Sequence, residues 1–205
     1  MLYEHAGARP RIHDTAVIAP TAVISGDVVI GPGCQVLHGA VITAEGGPIV
    51  LGEHVIVMEN ALVRATAVDA VHIGDHTLVG TLASVAGATI GQEVFLASGA
   101  RVFNGAIVGS RCEVRVNAIV HRRSRLPEGT VVPIGWVAVG HPVQLLSPDR
   151  DAEIAAAQPD LDFPGHVFGV DRDTPDLMVQ LTERYASTLA RHAHDVPIGG
   201  TDAAR

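Results

Sequence analysis

Residues 90–120 read IGQEVFLASGARVFNGAIVGSRCEVRVNAIV, with an aliphatic side chain at every sixth position: Ile90, Leu96, Val102, Val108, Val114 and Val120. The same spacing runs through Ile18, Ile24, Ile30, Val36 and Ile42. A three-residue insertion precedes Leu51, Val57 and Val63; a four-residue insertion precedes Ile73, Val79 and Val85; one residue is dropped before Ile90. All 17 positions are Val, Ile or Leu, and every third one is followed by glycine: Gly31, Gly52, Gly74, Gly91 and Gly109. Six residues suit a short strand plus a turn, and three such units close one triangular coil. Stacking coils about 4.8 Å apart lines the aliphatics up as internal ladders. Glycine at one corner fits a turn that needs positive φ or a close backbone approach. A β-sandwich does not keep a six-residue phase over a hundred residues.

Composition agrees with a core of short β-branched strands. Val, Ile and Leu supply 57 of 205 residues, while aromatics are 3%. All 14 basic residues are arginine, which excludes a Schiff-base lysine and a P-loop. The net charge of −8 argues against a nucleic-acid partner. Cys34 and Cys112 form neither a disulfide framework nor a metal spacing and read as small buried apolar residues. There is no apolar run of the ~20 residues a membrane span needs and no signal-peptide stretch, so a cytoplasmic protein with no membrane partner is expected.

Three further motifs are specific. The stretch Gly47-Pro48-Ile49-Val50-Leu51-Gly52-Glu53 is similar to "NPIVIGD", Glu59-Asn60-Ala61-Leu62-Val63 to "DNAVV", and Gly140-His141-Pro142 to "GSPAK". With the repeat, they make the chain resemble the γ-carbonic-anhydrase-like branch of the hexapeptide-repeat proteins over about residues 10–146. The resemblance implies an all-β solenoid, a left-handed parallel β-helix over 1–146, assembled as a homotrimer. It also implies three zinc-binding histidines shared between neighbouring subunits, at positions carried over to Arg64, Thr81 and Ala86. None of these three is a normal zinc ligand. The family's "RGD" becomes Thr43-Ala44-Glu45 and its glutamine near the zinc becomes Met58. The resemblance therefore implies the scaffold without the metal, and carbonic anhydrase activity is expected to be absent, because no side chain replaces zinc in acidifying water.

The period itself yields two columns. One step past each second-corner aliphatic come Thr43, Arg64, Ala86, Phe103 and His121; two steps past each first-corner aliphatic come His38, Glu59, Thr81 and Ser98. One reading makes Arg64 the holder of a substrate carboxylate or phosphate, with Thr43, Met58, Thr81, Ala86 and His38 lining the site and Glu45 or Glu59 as general base. Another has Arg64 and Glu59 pair and plug a vestigial cleft. A displaced metal site on His38 and Glu59 has too few ligands, so no cofactor is expected. The run His121, Arg122, Arg123 and Arg125 could receive coenzyme A, or be a solvated face offset by Asp149, Asp151 and Glu153.

Residues 147–196 break the period and read as a helical extension. A short helix is expected over 151–158, stopped by Pro159. A second runs over about 175–192, capped by Thr174-Pro175-Asp176, with Leu177, Leu181, Tyr185 and Leu189 as one apolar stripe against the coil. Residues 197–205 read as a flexible tail. Three functions stay open: a metal-independent binder or converter of a small anion at the subunit boundary, a CoA-dependent acyltransferase using His38 or His121, and a non-catalytic scaffold.

Overall fold

The computed structural model describes residues 1–157 and 164–198. Among them, two- to four-residue strands form one ten-stranded and two seven-stranded sheets. Each sheet takes every third strand of the coil, and neighbours within it run parallel, except where the two ends of the ten-stranded sheet are closed by antiparallel strands. The coil is a left-handed parallel β-helix.

The six-residue ladder is its core. Of the 17 ladder residues, 16 are buried at 2% exposure or less, and only Ile18 in the first coil is half-buried. The period continues past Val120 through Leu126, Val132 and Ala138, all buried. The residue before each ladder position points outward, as Val17, Phe95, Ile107 and Val131 do. Cys34 and Cys112 are buried and free, and burial pushes both thiols up.

The recurrent glycine is explained by close approach, not by positive φ. A Cβ on Gly109 would stand 2.6 Å from the Glu128 amide nitrogen, and one on Gly31 would stand 2.3 Å from the Gly52 carbonyl oxygen. Those are backbone atoms of the next coil and cannot rotate away.

The C-terminal segment follows the expected plan with two corrections. Helix α1 spans Asp151–Ala156, while Gln158 and Pro159 lie outside the described residues. Helix α2 spans Leu177–Leu189 and passes into a 3-10 turn, Ala190–His194. Its half-buried residues are Leu177, Leu181, Tyr185 and Leu189, the anticipated stripe. The N-cap is Asp176, in the left-handed region at φ 56 and without a side-chain cap bond, so Thr174 does not cap it. Thr174 instead closes a turn back to Asp171. The second correction concerns the tail: Val196–Ile198 is a strand, paired antiparallel with Leu2–Glu4 in the register Leu2↔Ile198, Tyr3↔Pro197 and Glu4↔Val196. Pro197 is tolerated because the strand lies on the sheet edge. The rest of the anticipated tail, 199–205, lies outside the described residues.

Ile42→Ala should lower the thermal midpoint by the equivalent of about 2–5 kcal/mol, because the rigid ladder cannot collapse onto the void. Val17→Ala, on the outward face, should change it by roughly 0.5 kcal/mol or less. Calorimetry on both variants checks the contrast.

Candidate functional site

Sheet register puts the first site column in line: Ser25 pairs with Thr43, Thr43 with Arg64, and Arg64 with Ala86. Phe103 and His121 follow Val102 and Val120 on the next two rungs. The wall opposite this column is the chain's own α2. Arg64 Nη2 donates to the Tyr185 hydroxyl at 2.5 Å and pairs with Glu45 at 3.5 Å, its guanidinium carbon lying 5.8 Å from the Tyr185 ring centre. Phe168 meets Tyr185 edge-on at 5.1 Å.

Between coil and helix lies a cleft of about 420 Å³. Arg64, Arg184 and Arg191 bring cations to it, Glu45 and Asp69 carboxylates, and Val68, Ala86, Phe103 and Phe168 an apolar wall. Arg184 is tied down by the Phe168 and Gly169 carbonyls, and Arg191 by the Thr188 carbonyl. Asp69 is engaged by Asn104. Arg64 Nε is buried without a hydrogen-bond partner among the described residues. A guanidinium beside an apolar wall is suited to an anion that carries a hydrophobic body.

Glu45 is the hub. Its carboxylate faces Arg64, accepts from Thr43 Oγ1 at 3.5 Å, and meets His192 Nε2 at 3.2 Å. His192 Nδ1 stands 2.8 Å from Asp195, and His5 Nδ1 2.5 Å from the other oxygen of that carboxylate. The hydrogen bond to Asp195, helped by that to Glu45, raises the His192 pKa. Burial pushes Asp195 up, but the hydrogen bonds from His192 and His5 outweigh it and hold its carboxyl below the usual range.

The second column is elsewhere. His38, Glu59, Thr81 and Ser98 occupy successive turns, linked by backbone bonds such as Asn60 N–H to the His38 carbonyl. Glu59 accepts from Thr81 at 3.4 Å, and exposed His38 meets Thr21 at 2.8 Å. Of the anticipated residues, the cleft within one chain brings together Glu45, Arg64 and Ala86, with Thr43 behind Glu45; Glu59, Met58, Thr81 and His38 do not line it. Arg64 pairs with Glu45 and not with Glu59, so the anticipated plug does not form within the chain. Glu153 pairs with its neighbour Arg150 at 2.5 Å. Sequence reasoning missed Arg184 and Arg191, whose only signal was their position flanking the apolar stripe of α2.

The positions that the family resemblance marks for zinc hold a paired guanidinium, a hydroxyl engaged by Glu59, and a methyl. That donor set does not fit zinc.

The fold and columns define a hexapeptide-repeat protein, and the comparisons agree. Residues 9–44 match the family model "Bacterial transferase hexapeptide (six repeats)". The chain is thus a β-solenoid of hexapeptide repeats with homologues among the γ carbonic anhydrases. It is 31% identical over 152 residues to γ carbonic anhydrase 1, mitochondrial, of Arabidopsis thaliana, covering 71% of this chain and 53% of that protein. It is 29% identical over 129 residues to a carbonic anhydrase of Geobacillus kaustophilus, covering 63% and 61%. The chain thus spans about half of the plant relative's length. Among solved structures, the polysialic acid O-acetyltransferase OatWY superposes with a TM-score of 0.54 at 17% identity, over 67% of this chain and 83% of that one, a likeness of fold alone.

Tyr185→Ala should loosen α2, because a 13-residue helix holding on by one half-buried stripe is marginal in water. Hydrogen exchange should rise across 177–189 while the ladder amides at 84–86 stay protected.

Proposed function

We propose that this protein is a metal-independent relative of the γ carbonic anhydrases that binds a small anion with an apolar body in the Arg64 cleft. The observation that carries the reading is Arg64 itself: a permanent cation lining the cleft, at a column position where the family holds a metal ligand. Arg184 and Arg191 add positive charge around the mouth, and Phe103 and Phe168 would cover the ligand's body. Glu45 aligns Arg64 and is the group in reach to exchange a proton with the ligand. The fold family's habit of trimerisation supports a homotrimer, in which Glu59, Thr81, Met58 and His38 of the turn column would approach the Arg64 column of a neighbour.

Titration calorimetry with aryl and alkyl carboxylates and with phosphate tests this. Wild type should bind a member of the panel, and Arg64→Gln should weaken it about tenfold or more, since hydrogen bonds to charged groups are each worth roughly 1.5–3 kcal/mol. Binding unaffected by Arg64→Gln overturns the reading, as does stabilisation by acetyl-CoA alone, which favours acyl transfer. With zinc supplied, CO₂ hydration should stay at the uncatalysed rate; chelator-sensitive turnover would contradict the metal-independent assignment.

A further inference from the structure

The first and last of the described strands meet at a cluster that the sequence does not announce. His5 follows the first strand and Asp195 precedes the last, so the antiparallel pair Glu4↔Val196 sets them side by side. The 3-10 turn Ala190–His194 then swings His192 over the same spot. His5 is 4% exposed, and its ring stacks on that of His192 with centroids 4.5 Å apart and planes 26° apart. Both rings aim Nδ1 at the one carboxylate of Asp195, and one donor atom from each of the three residues falls within 4.8 Å of the others.

The geometry points to a binding site for a divalent transition cation of the zinc type, with His5, His192 and Asp195 as its protein ligands. Two imidazoles and one carboxylate are a familiar zinc donor set that leaves a fourth position for water. The decisive detail lies one bond further out. His192 Nε2 faces the Glu45 carboxylate at 3.2 Å. A metal-bound histidine characteristically donates its other ring N–H to a carboxylate, which fixes the tautomer and frees the opposite nitrogen for the ion. Glu45 is itself steadied by Thr43 and Arg64. With neutral imidazoles, Asp195 supplies one negative charge to the ion directly, and Glu45, shared with Arg64, lends a second at the outer edge. In the ion's place the present hydrogen bonds put protons on the Nδ1 atoms, which binding would release.

This site is separate from the zinc position implied by the family resemblance, because none of His5, His192 or Asp195 lies in either column. It shares Glu45 with the cleft but needs no anion bound there.

The test equilibrates the full chain, free of any affinity tag, with Zn²⁺ and removes unbound metal. Elemental analysis should find about one zinc per chain. The His5→Asn/His192→Asn double variant should retain less than about a tenth of that, since a lost metal-shell partner alone typically costs 10–100-fold in affinity. His54→Asn/His76→Asn is the control: those rings also stack, at 5.2 Å, but outside the cluster, and zinc content should not change. X-ray absorption on zinc-loaded wild type guards against a misfolded variant: imidazole scattering from two histidines is expected. No retained zinc in wild type, equal retention by the double variant, or a shell of oxygens alone overturns the proposal.

Discussion

The structure depends on the vertical stacking of coils, held at strand spacing by hydrogen bonds between rungs and by the aliphatic ladder inside. Each rung must bury its inward residue within a fixed triangular cross-section, which is why Val, Ile and Leu alternate there with little else. The same constraint makes any residue with a Cβ intolerable at Gly109 or Gly31, where the next coil's backbone passes at contact distance. It also confers the functional consequence of the fold. Residues one full coil apart, three six-residue units on, must line up on one face, so a single substitution changes a column whose neighbours are already fixed.

Arg64 shows what such a column can do. Thr43 lies on the rung before it and Ala86 on the rung after. A small residue above the guanidinium leaves room, and helix α2 encloses that room with Tyr185 and Arg184, joined by Arg191 of the 3-10 turn. Rigid coil on one side and a lightly held helix on the other make a cleft with one fixed wall and one that can yield. Glu45 ties this cleft to the histidine cluster at the chain ends, so charge placed at one is felt at the other through a shared carboxylate.

The coil was legible in the sequence because its signal is strictly local: a six-residue phase needs no knowledge of which coil touches which. The stripe of α2 was legible for the same reason, at a different period. Residues brought together by the ends of the chain were not. His5 and Asp195 are 190 positions apart, and nothing in either's surroundings names the other. Pro197 and Ile198 read as tail because small and polar neighbours hide a strand that pairs with the first one. The sequence leaves two acids open beside Arg64: Glu59 is nearer in sequence, but it sits on a turn that faces Thr81, while Glu45 follows the strand whose register brings it beside Arg64.

The central claim is that a guanidinium, not a metal, occupies the column at residue 64. Anomalous diffraction at the zinc edge, from crystals grown in saturating zinc, tests it most directly. The account predicts no anomalous peak within coordinating distance of Arg64, Thr81 or Ala86 in any arrangement of subunits. A well-occupied ion gripped between those three positions would contradict it.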